Sequence, residues 1–252
     1  RLDGPSIAAD PAELRRIEAC FAPPDYAALP ARSAGLAQKK KFAPAFAAWV
    51  ESNVAAHKAP GHAIVTVSLK PIGGVPGDAS AAQMRALAEA AARFSFDELR
   101  VTAEQNILLP HVRQDDLYPL WRALGAAGLD TANAGLITDI VCCPGLDYCN
   151  LATARSIPIA QTIARRFADP ARQREIGPLA IKISGCINAC GHHHLGHIGI
   201  LGLEKAGAES YQVTLGGDPT ETAAIGERLG PGLGPEEVER NAGLPKEVFE
   251  NI

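Results

Sequence analysis

Six cysteines carry most of the chemistry this chain can do: Cys20, Cys142, Cys143, Cys149, Cys186 and Cys190. Five of them fall between residues 142 and 190: Cys143-x5-Cys149, a gap of 36 residues, then Cys186-x3-Cys190, with Cys142 beside Cys143 giving an alternative C-x6-C reading. A secreted disulfide framework spreads cysteines through a shorter, Cys-denser chain, so clustered thiols here point to a metal or a cluster. Zinc ribbons favour C-x2-C knuckles, because a tight turn aims two thiolates at one tetrahedral ion. Neither pair has that spacing. A cuboidal [4Fe–4S] cluster takes one thiolate per iron from separate directions, which suits wider, unequal gaps. Gly145, Gly185 and Gly191 flank the cysteines and would let backbone N–H groups approach sulfur. Two other readings stay open: buried structural thiols, and a zinc-stabilised binding module that adds ligands from His192, His193, His194 and His197.

Two features look inert. Cys20 lies far from the other cysteines and reads as a buried thiol. The Lys39-Lys40-Lys41 run reads as a solvated face.

Composition narrows the setting. The chain has 252 residues, 47% hydrophobic and 21% charged, enough apolar content for one large or two small packed domains. Aromatics are 5%, so the core must come from Ala, Val, Ile and Leu. A net charge of -4 argues against a dedicated nucleic-acid binder, which needs a basic surplus. No stretch approaches the roughly 18 apolar residues of a membrane helix. The chain opens on Arg1 with no signal-peptide pattern, so the expectation is a cytoplasmic protein that is a piece of a longer product or has been trimmed.

The elements that must position the cysteines follow from local patterns. Asp10-Pro11 with Glu13 starts a helix on which Leu14, Ile17 and Phe21 recur. A second helix is expected from about Phe46 to Ala56. His62–Leu69 reads as a strand, and Ser80 with Gln83 forms a capping box. The helix behind that box carries Met84, Leu87, Ala88 and Ala91 as its buried stripe. Glu98–Thr102 and Ile107–Val112 read as strands that pair antiparallel. Leu117, Leu120, Trp121 and Leu124 mark another helix, and a last strand is expected near Ile137–Val141. That order is the split βαβ, or ferredoxin-like, one. A helix is then expected from Cys149 to Phe167, with Pro158 threatening a kink. A strand at Leu179–Ser184 and a hairpin of His197–Leu203 and Ser210–Leu215 turning at Lys205-Ala206-Gly207 follow. The fold class is therefore α+β. Residues 1–60 read as a helical linker, 61–135 as the ferredoxin-like unit, 136–230 as a second α/β unit holding the cysteines, and 231–252 as a turn-rich tail.

The strings themselves carry a resemblance. Cys142-Cys143-Pro144-Gly145-Leu146-Asp147-Tyr148-Cys149 and Ser184-Gly185-Cys186-Ile187-Asn188-Ala189-Cys190-Gly191 resemble the two cluster motifs of the sulfite and nitrite reductase haemoproteins. Thr102-Ala103-Glu104-Gln105-Asn106 is similar to that family's Thr-x-x-Gln-Asn strand end. His197 to Gly202 and Leu215-Gly216-Gly217 resemble strands that close its cofactor domain. The resemblance runs from about Ala45 to Leu229 and matches the second of the family's two halves.

The resemblance implies that Cys143, Cys149, Cys186 and Cys190 ligate a [4Fe–4S] cluster, and that Cys190 bridges to the iron of a sirohaem. Cys142 becomes a packing residue. Gln105, Asn106, Ser184 and Asn188 are implied to lie against the sirohaem. Lys182 and Arg155 are candidate partners of its carboxylates by charge, with ordinary surface cations as the other reading. The implied reaction is the six-electron reduction of sulfite to sulfide, or of nitrite to ammonia, with electrons from a ferredoxin or a flavoprotein. An iron–sulfur electron-transfer subunit without sirohaem is the rival reading. The implied partners are the anion, the electron donor and the missing N-terminal half, which keeps most of the substrate-gripping cations.

Overall fold

The computed structural model describes residues 10–240. Helix α1 (Pro11–Ala19) starts where Asp10 accepts a hydrogen bond from the Ala12 N–H, with Pro11 in the first turn. Its Leu14, Ile17 and the following Phe21 lie exposed. Helix α2 (Ala34–Phe42) carries Lys39, Lys40 and Lys41 on the surface. Helix α3 (Pro44–Asn53) gives way to strand β1 (Val54–Ala56), so the helix expected to reach Ala56 ends earlier. Phe46 and Trp49 of α3 are fully buried in the first core. Residues 44–56 are thus part of the first unit rather than a linker.

Strand β2 (His62–Val67) leads to α4 (Ala81–Phe94), whose Ser80–Gln83 capping box forms at both bonds. The buried stripe of α4 is Leu87, Ala90, Ala91 and Phe94. Met84 and Ala88, expected in that stripe, are exposed, because the face that meets the sheet is rotated toward Ala90 and Phe94. Strands β3 (Arg100–Val101) and β4 (Ile107–Arg113) pair antiparallel around the Thr102–Asn106 turn. Helix α5 (Leu117–Ala126) buries Leu117, Leu120 and Leu124. The sheet order is β1-β2-β4-β3, antiparallel throughout.

The closing strand of this unit is not the one the sequence order suggests. β1 holds the outer edge beside β2. The expected Ile137–Val141 strand shortens to β5 (Val141–Cys142) and pairs in parallel with β6 (Ile181–Ser184) of the second sheet. Ile137 and Ile140 are buried in the second core, and that burial draws the segment away from the first sheet.

The second unit adds α6 (Ile157–Arg166), α7 (Pro170–Ile176), β7 (Ile198–Lys205), β8 (Ala208–Leu215), β9 (Glu227–Leu233) and α8 (Pro235–Arg240). The order is β5-β6-β7-β8-β9, parallel from β5 to β7 and antiparallel from β7 to β9. The expected Ala206-Gly207 hairpin turn forms, both residues at positive φ. The helix expected from Cys149 begins only at Ile157. Pro158 sits in its first turn, where a missing N–H costs nothing. Ahead of it, the Thr153 and Ala154 N–H groups both donate to the Gly185 carbonyl, so residues 149–156 are held as a loop. Of the tail, β9 and α8 run over residues 227–240 and Val238 packs into the second core. Residues 241–252 lie outside the described residues.

Candidate functional site

The cysteines sit where two parallel strands end. Cys143 follows β5 and Cys186 follows β6, so the two loops leave neighbouring strands at their carboxyl ends, the usual ligand side of such a sheet. The loops are stitched together. The Cys143 N–H donates to the Ile183 carbonyl at 3.1 Å, and the Gly185 N–H donates to Cys143 Sγ at 3.0 Å. Gly185 is packed so tightly that a Cβ there would lie 2.7 Å from the Ala154 carbonyl and 2.8 Å from Gly145 Cα. Gly145 itself holds φ +57°, a left-handed turn that starts the path to Cys149. Cys149 is half-buried, with its N–H on the Gly145 carbonyl.

On the other loop, Cys186 is buried and Cys190 is exposed. Ala189 and His192 take positive φ around Cys190, and Ser184 Oγ accepts the Gly191 N–H at 3.1 Å. Asn188 points its loop position to solvent. Cys142 belongs to the second core, and burial pushes its thiol well above the ordinary range. Cys20, expected to be buried, is exposed and donates to the Arg16 carbonyl, because α1 lies on the surface. Among the described residues, no three His, Cys, Asp or Glu side chains converge closely enough to hold a single metal ion.

The amides expected beside a cofactor have protein partners. Gln105 Nε2 donates to the Cys142 carbonyl at 2.8 Å, and its Oε1 accepts the Cys142 N–H at 2.9 Å. Asn106 donates to both Asp139 oxygens at 3.0 and 3.2 Å and accepts from the Leu69 N–H and the Lys70 ammonium. Lys70 is buried and forms a 2.6 Å ion pair with Asp139. Burial holds its ammonium pKa below the usual lysine value, against the pull of Asp139. Sequence reasoning missed Lys70 and Asp139. The signal for Lys70 was available: a lysine that directly continues the apolar His62–Leu69 run.

The remaining cations are engaged with acids. Lys182, buried in β6, stands 3.9 Å from Glu104. Arg155 lies in the loop before α6, not on a helix, with its guanidinium 3.7 Å from Asp147 and 3.7 Å from Glu209. His193 is buried with Nδ1 unpartnered, its ring centroid 3.9 Å from that of His194. Burial and His194 lower its pKa to about 4, so it is neutral at pH 7.

These residues fit an iron–sulfur cluster by donor chemistry. They offer soft sulfur ligands, and one of them already receives a backbone N–H bond. The fit to a polycarboxylate macrocycle is incomplete. A cavity of about 380 Å³ opens beside Gln105, Cys142, Pro144 and Tyr148, and the acidic or basic side chain in its lining is Asp78, of the wrong sign for carboxylates.

The model of the nitrite/sulfite reductase ferredoxin-like half domain matches residues 58–127, which take in β2, β3, β4, α4 and α5. A ferredoxin sulfite reductase of Mycolicibacterium paratuberculosis is 29% identical over 164 residues, which is 62% of this chain and 29% of the relative. The ferredoxin–nitrite reductase of Synechococcus elongatus is 31% identical over 160 residues, 60% of this chain and 30% of the relative. The solved structure of the Mycobacterium tuberculosis NirA protein superposes with a TM-score of 0.63 at 25% identity, over 80% of this chain and 37% of that one. Over these residues the chain is similar to sulfite and nitrite reductases. Dissimilatory sulfite reductase I shares the fold, with a TM-score of 0.59 at 12% identity. The chain spans about three tenths of the length of the curated relatives it matches. Among its described residues no helix is long and apolar enough to cross a membrane.

Proposed function

We propose that this chain is the cofactor-bearing half of a cytoplasmic sirohaem- and [4Fe–4S]-dependent reductase that takes sulfite to sulfide. The observation that carries the reading is the Gly185 N–H bond to Cys143 Sγ, which joins the two cysteine loops at the ends of adjacent strands. The ferredoxin-like half domain, read as 61–135, also takes in residues 44–56, and the cofactor unit, read as 136–230, runs on to α8. Cys143, Cys149, Cys186 and Cys190 would hold the cluster, and Cys190, which is exposed, would be the thiol open to the sirohaem. When bound, the two groups supply single-electron transfer to an oxyanion. Ser184, Asn188, Lys182 and Arg155 lie on the segments that would border the macrocycle.

The chain's own part is to hold four thiolates on a stiff loop pair and to keep Cys142 out of competition by burying it. Relatives named for ferredoxin support a ferredoxin donor, with a flavoprotein as the other candidate. Nitrite reduction to ammonia is the second reading, supported by the nitrite-reducing relative. The charges that grip the anion come from the complementary half, because Lys182 and Arg155 are already paired with acids.

The test is metal analysis and a visible spectrum of anaerobically prepared protein, followed by a reduced-viologen assay. Iron with acid-labile sulfide and sharp isobacteriochlorin bands support the reading. Stoichiometric zinc would replace it with a binding module, and a bare cluster spectrum with an electron-transfer subunit. Turnover of sulfite is expected to need the complementary half; equal rates without it would place the gripping cations in this chain.

A further inference from the structure

The cysteine loop is reached by two side chains from the opposite unit. β5 is the edge strand of the second sheet, with β6 on one side. Cys143 turns its N–H toward β6. Cys142, one residue earlier, turns its N–H and carbonyl the other way, as alternation along a strand requires. A free edge here would leave two backbone groups of a buried residue unpaired, which is costly. Gln105 supplies both partners from one amide, at 2.8 and 2.9 Å. It therefore stands in for the missing neighbour strand.

Glutamine is the side chain that does this. Glutamate accepts from the N–H but cannot donate to the carbonyl, and asparagine is one methylene shorter. The backbone is shaped for the task. Gln105 holds φ +56°, a left-handed conformation that a non-glycine residue adopts at a cost. The turn that imposes it is closed by Thr102 N–H to the Asn106 carbonyl and by Asn106 N–H to Thr102 Oγ1. Gly77 leaves room, since a Cβ there would lie 2.9 Å from Gln105 Cβ. The next residue, Asn106, grips Asp139, three residues before Cys142, with help from Lys70.

We infer that Gln105 and Asn106 form a two-point clamp on Asp139 and Cys142 that positions Cys143, and that Gln105 acts through this backbone rather than by touching a cofactor. The inference rests on the reading of Cys143 as a cluster ligand. The first unit thereby sets the geometry of a ligand that belongs to the second. Gln105 is a positioning residue, and its loss leaves all four thiols in place while freeing the strand that carries the first of them.

The test uses the full chain and the variants Gln105→Leu and Gln105→Glu. In the cluster-free protein, alkylation of each cysteine by N-ethylmaleimide is followed by mass spectrometry under native conditions. Gln105→Leu is expected to speed modification of Cys143 by about tenfold relative to Cys186, the opening that follows from losing two neutral hydrogen bonds. Gln105→Glu keeps the bond from the Cys142 N–H and is expected to give a smaller increase. This second variant decides the matter if Gln105→Leu does not fold. After anaerobic reconstitution, the reduced cluster of Gln105→Leu should show a shifted midpoint potential and an altered paramagnetic resonance signature at near-normal iron content.

Cys143 alkylation that is unchanged in both variants overturns the clamp, even if the loaded spectrum shifts, because that pattern marks direct contact with a cofactor. Wild-type protein that takes up no iron and sulfide overturns the cluster reading instead, and the alkylation measurement still decides the clamp.

Discussion

The backbone N–H of Gly185 and the sulfur of Cys143 lie 3.0 Å apart, a bond across 42 residues of chain. It brings the second cysteine motif to the first before any cofactor is considered. A backbone N–H on a cysteine sulfur is the kind of contact that borders iron–sulfur clusters.

The ligand assignment has a direct consequence. Cys143→Ser, Cys149→Ser and Cys186→Ser are each expected to abolish or badly weaken cluster assembly, since a hard alkoxide replaces a soft thiolate poorly. Cys142→Ser and Cys20→Ser should keep iron near the wild-type level. Iron and acid-labile sulfide determinations on the five variants check this. Loss of iron in Cys142→Ser with retention in Cys143→Ser would move the register by one residue.

Packing around Gly185 gives a prediction on stability. A methyl group there meets the Ala154 carbonyl, Gly145 Cα and Ser156 Oγ at 2.7 to 2.8 Å. Two of these are backbone atoms, so the loops must part. Gly185→Ala is expected to cost about 1–3 kcal/mol by overpacking. The measurement is a denaturant melt, paired with cluster uptake, which should fall with it. A variant as stable as wild type would show that the loops yield freely.

The pair Lys70–Asp139 couples the two units through charge. Both side chains are buried, at 2% and 7% exposure. Lys70→Met leaves the Asp139 carboxylate without its cation and is expected to destabilise by about 3–5 kcal/mol, as does removal of one partner from buried pairs in general. The double variant Lys70→Met with Asp139→Leu should recover part of that loss. Urea unfolding of the two singles and the double reads the coupling.

A pH dependence follows from the histidines beneath the segment after α1. The Tyr26 hydroxyl lies 2.9 Å from His111 Nδ1 and 3.4 Å from His57 Nε2, with the His62 ring 5.0 Å from the tyrosine ring. Glu98 faces His111 from the other side and pairs with Arg100. Burial, with smaller contributions from the His111 and His62 charges, holds the pKa of His57 below its ordinary value of 6.5. The unfolded chain therefore binds this proton at a higher pH than the folded one. Above 6.5 the group contributes no pH dependence, and stability falls as pH drops below that value toward the folded pKa. His57→Gln should flatten the fall. Urea midpoints taken between about pH 7 and pH 5 measure it, and a wild-type midpoint that is constant over that range would refute it.

Much of this protein is legible in local pattern. The Asp10 cap, the Ser80–Gln83 capping box, the antiparallel β3–β4 pair and the turn at Ala206-Gly207 all depend on residues a few positions apart. Caps, turns and periodicities are short-range, so the sequence encodes them where they occur. The two cysteine strings are each short-range in the same sense, and their resemblance to the reductase motifs names the candidate ligands. Tertiary structure decided the rest. Pro158 reads as a kink until the Thr153 and Ala154 N–H groups are seen committed to Gly185, which starts the helix after them. The Ile137–Val141 run could have closed the first sheet, but its isoleucines bury in the second core instead. Gln105 and Asn106 are read from the sequence as cofactor contacts, and their protein partners 37 and 33 residues away are not legible there. A hydrogen-bond donor declares its chemistry in sequence, but its acceptor is chosen by which backbone packing brings within 3 Å.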